Sequence, residues 1–350
     1  HIDKMFLMGS KYKESAQKAL NKSENELCAT GWPRIDLWRK EFLSIYSTET
    51  QEIKKKYGDY ILLSSNFGVT SERSIKRWKK HIIENKVWDD EYKGSFLKTK
   101  NSKYESFLRY VNLIRSIDKK RNDLKFIVRP HPADDFNGWK EKIGNLSNVK
   151  IIYEGEISPW IYASTCVLHY GCTSSVQAEM AGIPSVVYKK PKGLKGNTTA
   201  FNISKQVNGP DEFTNFIDSI KECSSIEIQN NVFERLKNNI SSLRGETASS
   251  KIATILSNLD TIEINKARLS KIKKNILEGK YIGLRGIFLK NRIFGQNEIS
   301  PRSQKIPGGI AELEIKKFAK KVCPIINMKY EDILCEKIGK NLFKIELNRS

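Results

Sequence analysis

Residues 166–188 read CVLHYGCTSSVQAEMAGIPSVVY. An apolar run ends at His169, a small polar turn follows, and SSVQAEMAG then has the make-up of a short helix stopped at Gly182-Ile183-Pro184. The chain resumes as PSVVY, a second apolar and β-branched run. Strand, turn, helix and strand in quick succession is the unit of a parallel sheet, because parallel neighbours need a crossover connection. The polar cluster His169, Thr173, Ser174 and Ser175 sits where the strand hands over to the helix. Two readings of it stay open. The hydroxyls cap the helix, or they furnish a phosphate pocket, since a helix N-terminus carries unpaired amides and the positive end of the dipole.

The same unit repeats outward in both directions. IDKMFLMG opens the chain as a strand and leads to a helix over about Ser10 to Ala19; LCATGWPRIDLWR reads as a short strand, a Gly-Trp-Pro turn and a helix start. Charged, linker-like sequence runs on to Lys56. YILLSSNFG (60–68) is a buried strand breaking into an Asn-Phe-Gly loop, and residues 72–121 form a long charged helical region. LKFIVRPHP (124–132) and NVKIIYEG (148–155) are further strands. SPWIYAS (158–164) is a helix with Ser158 as its cap and Pro159 at the first position, where a missing amide hydrogen costs nothing. Near-continuous apolar strands alternating with helices predict an α/β fold with a doubly wound parallel sheet.

Composition sets limits on partners. The 350 residues include 39% hydrophobic and 29% charged positions, enough for substantial cores, and the net charge of +21 favours anionic partners. The basic residues are spread along the chain, with KKK at 54–56 and KIKK at 271–274 among them, and no isolated arm carries them. Trp78, Trp88 and Trp160 are not interleaved with the basic motif of a nucleic-acid reader, so no nucleic acid is expected. The six cysteines, at 28, 166, 172, 223, 323 and 335, make no CxxC pair, so the spacing of a zinc site is absent, and Cys166 and Cys172 read as reduced core thiols. No apolar run reaches the roughly 18 residues of a membrane span. A cytoplasmic protein is expected, with peripheral contact to an anionic inner membrane as a further reading of the charge.

Ligands of doubly wound sheets bind at the carboxyl ends of the strands. Three polar loops occupy those ends here: Asn66-Phe67-Gly68, Arg129-Pro130-His131-Pro132 and Gly171 to Ser175. Each has a plainer reading. The two prolines around His131 make a rigid strand exit, and the hydroxyls at 173–175 cap a helix. His169 points either into the core or to the rim, and Glu179, one turn into the helix, is either a surface carboxylate or a group that reaches ribose hydroxyls.

TGWPRIDLWR, YILLSSNFG, RPHP, ISPWIYAS and HYGCTSSVQAEMAGIP, in this order, resemble the C-terminal half of bacterial surface-carbohydrate glycosyltransferases of the two-domain GT-B fold. The His-Pro and Ser-Ser pairs are similar to the HP and SS motifs of the members that use CMP-activated 3-deoxy-2-ulosonic acids, the sialyltransferases and Kdo transferases. The resemblance covers about residues 25–260 and continues weakly into KIPGG at 305–309. It implies a metal-independent glycosyltransferase of capsule or lipopolysaccharide biosynthesis, with a CMP-sugar donor, a glycan or lipid-linked acceptor and no cofactor. It further implies that His131, Ser174 and Ser175 hold the cytidylate phosphate, with His131 stabilising the leaving group. Asn66, Arg129, Ser158, His169, Thr173 and Glu179 complete the expected donor site. No DxD motif suggests a metal-bound diphosphate donor; Asp89-Asp90 and Asp134-Asp135 are adjacent pairs in expected loops.

The family's general base lies in an acidic motif of its N-terminal domain, and no match to that motif occurs here. The expectation is therefore a chain truncated at its N-terminus: a remnant of the acceptor domain over 1–50, a nucleotide-sugar domain over 51–260, and a basic helical extension over 261–350. Residues 264–295 are expected as basic helices packed on the protein, 299–309 as a loop, and 311–322 and 329–341 as a final helical pair. Two alternatives remain. A CDP-glycerol or CDP-ribitol phosphotransferase of similar fold would pair the RPHP loop with further histidine chemistry, and His1 and His81 are not in comparable loops. A non-catalytic binder of acidic glycans or nucleotides would suit the missing base and the positive charge.

Overall fold

The computed structural model describes residues 4–20, 22–84, 88–190, 199–220, 232–259, 310–339 and 342–347. The chain divides into two compact units, residues 1–254 and 255–350; the sequence reading places its boundaries at about 50 and 260.

In the first unit a six-stranded parallel sheet is built from β3 (Ile61–Ser64), β4 (Phe126–Arg129), β5 (Val149–Ile151), β6 (Cys166–His169), β7 (Ser185–Tyr188) and β8 (Lys205–Val207). Preceding it are β1 (Met5–Phe6) and β2 (Leu27–Cys28), a separate parallel pair. The order across the large sheet is β5-β4-β3-β6-β7-β8, so the chain starts at the centre, winds one way to β5, and returns to β6 to wind the other way. This is the Rossmann-type order, whose direction reverses between its first and fourth strands. Here the reversal falls between β3 and β6, paired in register Ile61 with Cys166 through Ser64 with His169.

The apolar strands predict burial on both faces, and both are covered. On one face Leu63, Val128, Leu168 and Val186 pack against α5 (Asp90–Lys120), α6 (Phe136–Ile143) and α10 (Pro210–Ser219), through side chains such as Phe107, Ile114, Trp139 and Phe213. On the other, Leu62, Ile127 and Val167 meet Trp160 and Ile161 of α7 (Ser158–Ala163), Ala178 of α8 (Ser174–Met180), and Ile53 and Tyr57 of α3 (Ser47–Tyr57). Each fully buried side chain of this size contributes about 1.5–3 kcal/mol. A third cluster joins Ile35 and Trp38 to Val176, Met180, Leu236 and Ile240. Asp36 accepts hydrogen bonds from the backbone of Ala248 and Ser249, and Arg39 donates to the carbonyls of Gly245 and Glu246. The segment before residue 50 is thereby held to the segment before 254.

Two local expectations are corrected, and the helical region at 72–121 is resolved into its parts. Charged sequence before Lys56 reads as a linker, yet it forms the 3-10 turn Lys40–Tyr46 and α3, because Phe42, Ile45 and Tyr46 are buried and lysines fill the last turn of α3 before Gly58 at φ +69°. The helical region at 72–121 is two helices, α4 (Glu72–Glu84) and α5, the second capped by the Asp89 carboxylate, which accepts from the Tyr92 amide at 2.7 Å. In the second unit helix Glu312–Val322 is present, but the expected partner at 329–341 is a β-hairpin of Ile333–Gly339 and Leu342–Leu347. Its antiparallel pairs include Cys335 with Ile345 and Leu334 with Glu346. The stretches read as basic helices at 264–295 and as a loop at 299–309 lie outside the described residues.

Candidate functional site

At the reversal between β3 and β6 the polar loops leave the carboxyl edge of the sheet side by side: 65–71 after β3, 130–135 after β4 and 170–173 after β6. Their placement follows from strand order. Asn66 spans two of them, its side-chain amide donating to the Gly171 carbonyl at 3.3 Å.

The loops after β3 and β4 are stitched together by Asp134, which sequence reading set aside as half of an adjacent pair. One carboxylate oxygen accepts from the Ser65 hydroxyl, the His131 amide at 3.1 Å and the Trp139 indole at 3.1 Å; the other accepts from the Gly68 amide at 2.8 Å. Gly68 presents that amide from a φ of +66°, a conformation glycine adopts without steric cost. Asp135 adds a second seam. It caps α6 through the Asn137 amide, accepts from the Ser71 hydroxyl, and exchanges two hydrogen bonds between its backbone and the Thr70 hydroxyl. The signal available in sequence was Asp-Asp immediately before a helix, the pattern of an N-cap.

His131 is half-buried on this braced loop. Its Nδ1 accepts the Ala133 amide at 3.0 Å, so the neutral ring carries its proton on Nε2. Arg129, one strand position earlier, is only 7% exposed and donates to the carbonyls of Glu154 and Gly155 while lying 5.1 Å over the Trp160 ring. Burial lowers its pKa below the ordinary arginine value. Arg129 therefore ties down the loop after β5, and its charge-bearing face is spent on backbone carbonyls. Ser158 is likewise buried, and the helix cap expected of it is absent: α7 begins at Ser158 itself, and its hydroxyl donates to Glu156 at 2.6 Å.

The opening stretch resolves differently for each of its polar residues. His169 is fully buried; its Nδ1 accepts the Gly171 amide at 3.1 Å and its Nε2 lies 2.8 Å from the Ser204 hydroxyl. Burial lowers its pKa to about 3, so the ring is neutral, and it shapes the loop after β6 from below the rim. Ser174 is 4% exposed and donates to the Ser64 hydroxyl at 2.8 Å, while Ser175 is wholly buried and donates to the Cys172 carbonyl at 2.9 Å. Both hydroxyls thus turn inward. Thr173, at the head of α8, makes no side-chain cap and is exposed; Cys172, expected in the core, is half-buried beside Ser64. Glu179 faces β7 instead of a ribose. One of its oxygens accepts both the amide and the hydroxyl of Ser185 at 2.7 Å, and burial raises its pKa to about 7. Ser185 and Ser204 hydroxyls are 2.6 Å apart, so Glu179, Ser185, Ser204 and His169 form one buried polar chain.

The structure therefore brings Asn66, His131 and Thr173 to the rim, with Gly68, Gly171 and Cys172 between them, and places Arg129, Ser158, His169, Ser174, Ser175 and Glu179 in its supports. Among the described residues no group of three His, Cys, Asp or Glu side chains is arranged to hold a metal ion, and no helix is long and apolar enough to cross a membrane.

No protein-family model matches the chain, and no curated protein matches it. Solved structures with a similar course of the backbone include the UDP-GlcNAc 2-epimerase of Methanocaldococcus jannaschii in complex with UDP-GlcNAc and UDP, at TM-score 0.44 and 15% identity over 73% of this chain and 61% of that one. The wall teichoic acid polymerase TagF soaked with CDPG gives TM-score 0.42 and 14% identity over 73% of this chain and 57% of that one. The UDP-GlcNAc 2-epimerase of Neisseria meningitidis bound to UDP-GlcNAc gives 0.41 and 14% over 73% and 61%. The chain thus spans less than two thirds of the length of these neighbours.

Proposed function

We propose that this chain carries the donor-binding half of a GT-B-type transferase that moves a group from a cytidine-nucleotide donor, a CMP-activated ulosonic sugar in the first instance, to a glycan or lipid-linked acceptor. The observation that carries the reading is the position of His131. It stands on the loop after β4, beside the crevice between β3 and β6 where the strand order reverses and where sheets of this order bind nucleotides, and with Nδ1 accepting the Ala133 amide its neutral ring carries the proton on Nε2.

The chemistry asked of such a site is stabilisation of the negative charge that grows on the departing nucleotide phosphate. An imidazole N–H and an exposed hydroxyl, held in place before the reaction, supply that without a metal. In this proposal His131 donates to the phosphate from one side and Thr173 from the other. Asp134 fixes the His131 loop, and Ser174 and Ser175 hold the start of α8 from beneath. His131 serves as a donor and not as the acceptor's general base, because its Nδ1 lone pair is already used by Ala133. The alternative of a CDP-polyol phosphotransferase calls for a second histidine at the rim. His169 lies buried below it with both ring nitrogens engaged, which favours the single-histidine reading.

Calorimetric titration with CMP, UDP and CDP-glycerol tests this. The expectation is that CMP binds, that His131→Ala weakens it about 10- to 100-fold, the range of a charge-assisted hydrogen bond, and that UDP binds more weakly. Equal CMP affinity in the variant would sink the assignment.

A further inference from the structure

The opposite edge of the same sheet holds a cavity of about 320 Å³ where the chain enters β3, β4 and β5. It lies across the sheet from the rim, a strand length of about 13 Å away for four residues. Its floor is apolar, made by Tyr60, Phe126 and Ile127, and its mouth carries Lys56, Lys125 and Lys150 from three separate segments. Lys56 and Lys150 gather at one tyrosine, their ammonium groups 5.2 and 5.3 Å from the Tyr57 ring centroid. Among the described lining residues none is a carboxylate. Of the acidic groups nearby, Asp59 is paired with Lys54 and Asp123 with Arg121, and Glu154 attracts Lys56 from outside the lining.

Asn122 and Ser147 add exposed polar side chains to the lining. A ligand chemistry that answers these features joins a dianionic phosphate, which lysines bind as point charges, to a hydroxylated body that fills a volume of this size.

We infer that this amino-edge cavity binds a small phosphorylated polyol or sugar, with the phosphate among Lys56, Lys125 and Lys150 and its hydroxyls toward Asn122 and Ser147. The site is distinct from the His131 rim and does not depend on the function proposed for that rim.

Calorimetric titration of the full chain with glucose 6-phosphate, glucose and inorganic phosphate tests it. Glucose 6-phosphate is expected to bind at one site at least about tenfold more tightly than inorganic phosphate, and glucose not to bind. Lys125→Glu with Lys150→Glu is expected to weaken glucose 6-phosphate at least about tenfold, and His131→Ala to leave it unchanged. Lys56→Gln with Lys150→Gln, which alters exposed positions without reversing charge, repeats the test should the first pair disturb folding. Undiminished binding in both double variants, inorganic phosphate binding as tightly as the sugar phosphate, or no saturable binding would each overturn the inference. Loss of glucose 6-phosphate binding in His131→Ala alone would assign it to the rim instead.

Discussion

Replacing Asp134 with Ala removes the acceptor shared by the Ser65 hydroxyl, the Trp139 indole, and the His131 and Gly68 amides. The four donors are not equally exposed to the loss. Ser65 is 2% and Trp139 0% exposed, so water cannot replace the carboxylate for them, whereas Gly68 and His131 are half-buried on the loop and can be rehydrated. Each buried donor left unpaired costs about 1–3 kcal/mol. Two of them set the expected destabilisation at about 2–6 kcal/mol, large for a loop residue. Urea denaturation followed by tryptophan fluorescence measures it, with the midpoint lowered and the slope unchanged. A double-mutant cycle with Trp139→Phe, which keeps most of the buried ring while deleting its N–H, isolates one bond and should return a coupling of about 1–2 kcal/mol. The His131 loop should loosen in the same variant and CMP affinity should fall at least about tenfold. A destabilisation below about 0.5 kcal/mol, or a coupling of zero, would refute the view that Asp134 holds these loops together.

Gly171→Ala should destabilise by about 2–4 kcal/mol, since a Cβ there meets the Phe201 ring at 2.5 Å from a φ of +67°; adding Phe201→Leu should recover the steric part and leave about 1 kcal/mol for the backbone, read from melting curves. Ser174→Ala with Ser175→Ala should lower stability by about 1–3 kcal/mol yet hold CMP affinity within about threefold, because both hydroxyls bond inward; a large loss of affinity with unchanged stability would show the hydroxyls turning to the ligand. Burial raises the pKa of the Glu179 carboxyl to about 7, from an ordinary carboxylate value of 4.5. The folded state then binds more protons than the unfolded one between those values, so its contribution is fully present below pH 4.5 and lost as pH rises through 7, on the order of 2–3 kcal/mol. His169 has the opposite sign: its pKa is lowered from 6.5 to about 3, so its contribution is present above pH 6.5 and lost as pH falls toward 3. Stability from pH 4.5 to 6.5 should therefore rise more steeply with pH in Glu179→Gln than in the parent, and parallel curves from urea titrations would show that Glu179 is ionised in the fold.

What could be read from sequence was set by short-range periodicity. The apolar runs at 61–64, 126–129, 166–169 and 185–188 are strands, the intervening segments contain helices, and together they fix a parallel α/β sheet with polar loops on one edge. The loop of His131 is legible because two prolines and a strand exit mark it. The helix α3 was missed because its lysines hide a narrow apolar stripe, Ile53 and Tyr57, that has meaning only against α7. The hairpin at 333–347 was missed because apolar residues on both strand faces blur a period of two into one near that of a helix.

The direction of each polar side chain was a different kind of information. A serine at the start of a helix can face solvent or the sheet, and Ser174 faces the sheet because Ser64, 110 positions earlier, lies within 2.8 Å of it. His169 is a core residue because Ser204 on the far side of β7 receives its Nε2, and Glu179 turns from the rim because Ser185 offers two donors. Asp134 became a keystone through Ser65 and Gly68, which are remote in sequence and meet it only because β3 and β4 are neighbours. Local sequence determined which loops share the carboxyl edge. Strand order alone decided which atoms on them face outward, since a buried polar group must take its partner from whatever neighbour the topology places within hydrogen-bond reach.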